Sequence, residues 1–406
     1  MVSVKYVVVC CDGMSDLPIP KLSGKTPLEA ADTPNMDSLA QGGECGLLQT
    51  MVSGLPQDSG VANLAILGYD PVKFYPGRGP LEAANMGIVL DSSDVILRCN
   101  TVTVEDGVLV DYSGGHISSG ESRKLVEYGN EKLGGGPLKI FPGVSYRHVA
   151  VLSGDFSADI ACKPPHDIIG GKVEDNLIEP IDSRAGETSE KLNGIMLDSK
   201  EYLEDHPVNI NRIQNGLKPA NMLWFWGPGR KPSLPAFREK FGLSGSVISA
   251  VDIIKGIGAS IGLEVVNVEG ATGYLDTNYE GKADAAVESL KSVDFTYIHV
   301  ESPDESGHER NIEHKIQAIE DIDKRVLGRL LDKLEGDYVI GVLPDHATPI
   351  SLGTHTGEPV PFLIYSTLRE GSRSCESFSE KNSSNGIFGV KGAEEFINLL
   401  LSAGKQ

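Results

Sequence analysis

Three short apolar runs without polar alternation constrain this chain more than any other feature. They read KYVVVCC from Lys5 to Cys11, FTYIHV from Phe295 to Val300, and YVIGVL from Tyr338 to Leu343. A strand with one wet face alternates apolar and polar residues, whereas an unbroken apolar run is dressed for burial on both faces. Such strands belong in a parallel sheet flanked by helices, and ligands of those sheets gather beyond the strand carboxyl ends. Each run is followed at that end by an aspartate: Asp12 directly, Asp304 after a turn at Pro303, Asp345 after a turn at Pro344. The expected fold is α/β, a central and mostly parallel sheet between layers of helices.

The helices are also legible. TPNMDSLAQGG offers Thr33 as a cap, Pro34 at the first helical position and a glycine stop. Ile312, Ile316, Ile319, Val326, Leu330 and Leu334 recur at helical spacing, with Gly336 as the stop. SAVDIIKGIGASIGLEVV predicts a helix leading into a strand. In LPQDSGVANLAILGYDP, Ser59 stands at the start of a short apolar helix that stops at Gly68. There it is either an N-cap or a hydroxyl placed where a helix start can hold a phosphate.

The middle of the chain reads differently. From Asp91 to Ala220 the expected strands are short and alternating, as in RCNTVTVEDGVLVDYS, where Asp106-Gly107 suits a two-residue hairpin turn. This predicts a smaller α+β domain, residues 91–220, inserted into a discontinuous domain formed by 1–90 and 221–406. A serine-rich stretch, Ser372 to Gly386, reads as a surface loop.

At 406 residues two domains are expected. A net charge of −21 argues against a nucleic-acid partner, which needs a basic face, and requires that an anionic substrate be met by local positive charge. No apolar run approaches the length of a membrane span, and the opening segment reads as a strand, not a signal peptide. Six cysteines without a C-x-x-C pair suit reduced thiols and a cytoplasmic location.

Asp304 and His308 are four apart in PDESGH and share one helical face; Asp345 and His346 are adjacent; His355 follows in THTGEP. With Asp12, these carboxylates would repel one another at one sheet edge unless divalent cations joined them. A mixed carboxylate and imidazole set suits manganese, zinc or magnesium. Two such ions balance three carboxylates and one serine alkoxide, which makes Ser59 the candidate nucleophile.

CDGMSDLP, LSGKTPLEAADTPNMDSLA, SGVANLAILGYDP, GRGPLEA, EGATGYLDTNYEGKA, PDESGH and PDHATPI…HTGEPVPF together resemble the archaeal-type cofactor-independent phosphoglycerate mutases of the alkaline phosphatase superfamily. The resemblance covers nearly the whole chain and implies an alkaline-phosphatase-like core. It implies an isomerase of glycolysis that acts on a small phosphorylated substrate without 2,3-bisphosphoglycerate. One metal would be held by Asp304, His308 and His355, the other by Asp12, Ser59, Asp345 and His346. Ser59 would carry the phosphoryl group as phosphoserine, and the inserted domain would contact the substrate and shut out water.

The chain departs from that pattern in three places. VDYSGGH stands where the family has an arginine-rich stretch, Gly60 where an acidic residue is usual, and Asn63 where histidine is usual. Arg78, Arg147, Arg184 and Lys282 remain as candidate anion contacts, with His116 as a candidate acid–base group. The departures raise an alternative, the proposed homoserine kinase branch of the same family, although no phosphate-binding P-loop is visible. A phosphomonoester hydrolase and a non-catalytic metal-binding protein are further readings. The oligomeric state is left open by the sequence.

Overall fold

A computed structural model of the chain describes residues 4–369 and 375–405. The chain divides into two compact units, one formed by Met1–Tyr75 with Leu234–Gln406, the other by Pro76–Ser233. The junctions thus fall near residues 76 and 233, not at 91 and 220. The reason is pairing. The strand Met222–Gly229 lies antiparallel to Val95–Glu105, and the helix Arg78–Asn85 packs on both. Gly79 allows that contact, since a Cβ there would stand 2.9 Å from the Gly227 carbonyl oxygen.

In the first unit the sheet strands are β1 (Lys5–Cys11), β2 (Glu44–Gln49), β3 (Gly245–Ile248), β4 (Glu264–Val266), β5 (Phe295–Val300), β6 (Tyr338–Leu343), β7 (Val360–Ser366) and β8 (Val390–Gly392). Their order is β4-β3-β5-β1-β6-β7-β2-β8. Every pair is parallel except those made by β7, which runs against both neighbours. The three runs that drew attention in the sequence, β5, β1 and β6, are adjacent and central. All of β5 is buried, and β1 and β6 expose part of their first residue alone. Cys10 stands level with His299 on one side and Leu343 on the other, so the three carboxyl ends emerge side by side.

The long helical stripe is real but interrupted. Ile312–Asp321 passes through a π-helical turn, Ile322–Leu327, into Gly328–Lys333, and ends short of Gly336. Asp323 in that turn accepts from the backbone N–H groups of Asn35 (3.2 Å) and Met36 (2.7 Å). It therefore caps the Pro34–Gly42 helix, for which Thr33 makes no side-chain cap. The expected surface loop is also corrected. Residues 372–374 lie outside the described residues, but Phe378 is buried and Glu380 begins a short helix. The Glu380 carboxylate accepts from Ser15 Oγ, the Asp16 N–H and Thr26 Oγ1, which ties this segment to the loop after β1.

The second unit has a five-stranded antiparallel sheet around Val95–Glu105. That strand is eleven residues long and all but its last residue is buried, unlike the short alternating strands expected. Its polar residues are hidden because strands pair with it on both edges and the Ser119–Lys132 and Gly186–Glu204 helices pack on the sheet. Asp106 (φ 47°) and Gly107 (φ 76°) make the left-handed hairpin turn that follows. Among the described residues no helix is long and apolar enough to cross a membrane, and all six cysteines are free thiols.

Candidate metal centre

The sheet delivers its functional groups through the first residues beyond each strand. Asp12 still bonds to the β5 edge, its N–H donating to the Val300 carbonyl at 2.9 Å. Gly13 then turns with φ +62°, and a Cβ there would lie 2.5 Å from Asp304 Oδ1. Glycine is what lets the two loops meet. After β5 the chain enters the Ser302–His308 helix, where Asp304 Oδ2 and His308 Nε2 are 3.2 Å apart across one turn. After β6 come Asp345 and His346, both fully buried.

Ser59 opens the Ser59–Ile66 helix, but it is not the cap. Asp58 is, accepting from the Val61 N–H at 3.0 Å. With the capping role taken, the Ser59 hydroxyl is released toward the sheet edge and lies 3.1 Å from His346 Nε2. His355 Nδ1 donates to the Gln57 carbonyl at 2.9 Å, which fastens the segment before Ser59 to the loop after β6.

All seven residues chosen from the sequence as metal ligands meet here. His346 Nε2 is 3.3 Å from Asp12 Oδ1 and 3.6 Å from Asp345 Oδ2. Asp304 Oδ1 is 3.5 Å from His355 Nε2 and 4.0 Å from His346 Nδ1. Donor atoms of Asp12, Asp345 and His346 lie within 4.8 Å of one another, as do those of Asp304, His346 and His355. The rings of His346 and His355 stack at 3.9 Å.

Burial and the facing carboxylates of Asp345 and Asp304 push Asp12 well above the usual carboxylate range. Asp304 goes the other way: burial works to raise it, but its bonds to His308 and His355, with the charges of His346 and His355, together hold it well below. The bond to Asp304 raises His308 to about 9, whereas burial lowers His346. Asp12 Oδ1 is buried without a hydrogen-bond partner. Convergent carboxylates, imidazoles and an orphaned buried oxygen are a donor set that fits divalent cations.

Two neighbours escaped the sequence reading, and a third was read there only as a departure. His299, inside β5, puts Nε2 3.2 Å from Asp12 Oδ2, and burial lowers its pKa to about 4. A histidine interrupting an otherwise apolar run was the available signal. Thr348 lies between Asp304 and His346. Asn63, noted as a departure, is fully used: its Nδ2 donates to Asp345 Oδ2 (2.7 Å) and the Ser59 carbonyl (2.8 Å), and its Oδ1 accepts from Tyr297. Gly60 also fits its place, because a Cβ would come within 2.8 Å of Ile253 and 3.0 Å of Asp58 Oδ1.

The candidate anion contacts scatter. Lys282 is fully buried, with Nζ donating to the His299 carbonyl at 3.0 Å, and burial lowers it to about 8. It is a prop behind β5, not an exposed contact. In the second unit Arg184 is exposed and pairs with Asp182 at 3.1 Å. His116 is exposed, at φ +50°. Arg147 is exposed, its guanidinium 4.3 Å from the Tyr146 ring. Arg78 is half-buried near Trp226 (5.8 Å), with Nε buried and lacking a hydrogen-bond partner. The sequence reading missed Arg98, which lies 4.5 Å from the Trp226 ring and pairs with Glu82 at 3.0 Å. Burial lowers Arg98 to about 10; Glu82 opposes that shift, and Arg78 and Arg147 add to it. Arg78, Arg98 and Arg147 thus concentrate positive charge in a unit of an otherwise acidic chain.

A parallel sheet that brings carboxylates, imidazoles and an uncommitted serine to one edge is the framework of a metal-dependent enzyme of phosphate esters. Comparison with known proteins narrows this. A family model described as 2,3-bisphosphoglycerate-independent phosphoglycerate mutase matches residues 40–209. The enzyme of that name from Methanosarcina barkeri is 48% identical over 403 residues, covering 98% of this chain and 100% of the relative. A Methanothermobacter thermautotrophicus relative, numbered 2 of that name, is 43% identical over 402 residues, with 99% and 98% covered. Among solved structures, a Pyrococcus horikoshii protein superposes with a TM-score of 0.85 at 30% identity, over 100% of this chain and 98% of that one. The cofactor-independent phosphoglycerate mutase of Thermoplasma acidophilum gives 0.69 at 29% identity, over 99% and 100%. The chain belongs to the archaeal-type 2,3-bisphosphoglycerate-independent phosphoglycerate mutase family. The homoserine kinase alternative finds no support in these relatives and is set aside.

Proposed function

We propose that this chain interconverts 3-phosphoglycerate and 2-phosphoglycerate, without 2,3-bisphosphoglycerate, through a phosphoserine at Ser59. The observation that carries the reading is the Ser59 hydroxyl, freed from capping by Asp58 and 3.1 Å from His346 Nε2 in the acidic cluster.

Asp304, His308 and His355 would hold one divalent cation, and Asp12, Ser59, Asp345 and His346 the other, with Mn²⁺ or Mg²⁺ as candidates and Zn²⁺ a third. When bound, the cations supply positive charge that favours the serine alkoxide and offsets the phosphate's charge. The rest falls to the chain. Ser59 Oγ attacks phosphorus as the bond to the glycerate C3 oxygen breaks, and that oxygen takes up the proton the serine gave away. The 2-hydroxyl then attacks phosphorus, the bond to Ser59 Oγ breaks, and the proton of that hydroxyl returns to the serine. Asn63 fixes both partners, since one carboxamide nitrogen bonds Asp345 and the Ser59 backbone. Arg78, Arg98 and Arg147 support a role for the second unit, residues 76–233, as the substrate-binding and lid domain that excludes water. Six free thiols are in keeping with a cytoplasmic enzyme.

The test is the Mn²⁺-loaded protein given 3-phosphoglycerate alone. Formation of 2-phosphoglycerate, with phosphate trapped on the peptide containing Ser59, is expected. Release of inorganic phosphate without 2-phosphoglycerate would make the protein a hydrolase instead.

A further inference from the structure

We infer that Thr348 is a positioning residue that joins the two halves of the centre, its single hydroxyl fixing the tautomer of His346 by way of Asp304. The inference rests on the metal-centre reading above and concerns a residue outside the ligand set.

The logic is that of one proton and two neighbours. Thr348 Oγ1 donates to Asp304 Oδ1, where the carboxylate oxygen is the acceptor. On its other side Oγ1 lies 3.2 Å from His346 Nδ1. The hydroxyl proton is already committed, so the oxygen is left as an acceptor and His346 must carry its hydrogen on Nδ1. That leaves the His346 Nε2 lone pair facing Ser59 Oγ at 3.1 Å and Asp12 Oδ1 at 3.3 Å. A hydrogen bond on one ring nitrogen sets what the other nitrogen can ligate.

The hydroxyl has little freedom to turn away. Thr348 is fully buried, its N–H donates to the Ser15 carbonyl (3.2 Å), and its carbonyl accepts from Lys315 Nζ (2.8 Å). Lys315 is itself held by Asp16 Oδ2 at 2.8 Å. On the facing helix, a Cβ on Gly307 would come within 2.5 Å of the Thr348 carbonyl oxygen. The helix that carries Asp304 can thus lie against Thr348 because residue 307 is glycine.

A threonine that merely filled space would be replaced without loss by Thr348→Val, which keeps the shape and removes the hydroxyl. The test is Mn²⁺ titration of the metal-stripped full chain, read by paramagnetic resonance of free Mn²⁺. Thr348→Val should bind Mn²⁺ about 10–100-fold more weakly, and Thr348→Ser, which keeps the hydroxyl, should stay within about threefold of wild type. Wild-type affinity in Thr348→Val, whatever its melting temperature, overturns the inference. Should that variant not fold, the ¹⁵N-histidine spectrum of the metal-stripped wild type decides: His346 protonated at Nδ1 is expected, and hydrogen on Nε2 overturns it. A wild type that binds two ions and behaves this way, yet forms no 2-phosphoglycerate, would sink the mutase reading and leave Thr348's role standing.

Discussion

His308 and His355 meet nitrogen to nitrogen, their Nε2 atoms 3.1 Å apart. Each ring bonds a backbone carbonyl through its other nitrogen, His308 to Gly353 at 3.0 Å and His355 to Gln57 at 2.9 Å. A carbonyl cannot donate, so both Nδ1 atoms carry hydrogen and two neutral rings would set lone pair against lone pair. Asp304 Oδ2 lies 3.2 Å from His308 Nε2 on the same spot. Such a trio needs a proton or a cation at its focus.

Asp304→Asn should therefore remove one cation and leave the other. Titration of the stripped variant with Mn²⁺ should give one tight site in place of two, and mutase activity should fall by about 10³-fold or more, as when a group of a cooperating set is removed. Two tight sites in the variant would show that this trio is not where the ion binds.

Gly13→Ala should damage the centre through the backbone. The new Cβ would stand 2.6 Å from Asp304 Cα and would impose φ +62° on alanine. Left-handed backbone alone costs about 1–2 kcal/mol for an L-residue, and the overlap adds to it. The rise in melting temperature that Mn²⁺ gives the wild type should shrink in the variant, because binding to the folded state is what raises it. An undiminished rise would show that the two loops can part without cost to the ions.

How far the sequence reached follows from where its signals lie. Asp12, Asp304, Asp345 and His346 were legible because strand burial is written in local composition and strand ends are where such sheets bind ligands. Ser59 was legible from its helix-start position and the charge balance, and His355 from following Asp345 and His346 in the chain, whereas no local rule brings Gln57 to His355. The limit of the second unit was misplaced because Trp224 and Trp226 belong to a strand whose partner, Val95–Glu105, lies more than a hundred residues earlier. Arg98 was missed for the same reason: RCNTVTVE reads as a short alternating strand with polar positions, and only pairing on both sides buries it.

Acid should weaken the second unit through His148. Burial, with Arg98 and Arg123 nearby, lowers its pKa from 6.5 to about 3. The unfolded chain then binds a proton below pH 6.5 that the folded chain refuses, so stability falls as pH drops from 6.5 toward 3. At about 1.4 kcal/mol per pH unit the loss by pH 4.5 is about 2–3 kcal/mol. Both tryptophans, Trp224 and Trp226, lie in this unit, so their fluorescence during urea unfolding reports on it. His148→Asn keeps an acceptor for the Gly143 N–H, which His148 Nδ1 now accepts at 3.2 Å, and should flatten the acid limb. An unchanged slope between pH 6.5 and 4.5 would rule this source out.

Arg78 and Arg98 should part company when each is replaced. Arg98 pairs with Glu82, and both side chains are nearly buried. Arg98→Met would strand that carboxylate and should cost about 3–5 kcal/mol of stability, as breaking a buried pair does. Arg78 has no salt bridge among the described residues, and its buried Nε lacks a hydrogen-bond partner. A cation kept half-buried beside Trp226 without an anion of its own is placed to meet one from outside. Arg78→Met should fold as well as the wild type, keep kcat within about threefold, and raise KM for 3-phosphoglycerate about tenfold, the loss of one charge-assisted contact. Arg184→Ala, which removes an exposed pair with Asp182, should change neither constant and serves as the control. If Arg78→Met leaves KM untouched while Arg184→Ala raises it, the substrate meets a different face of this unit.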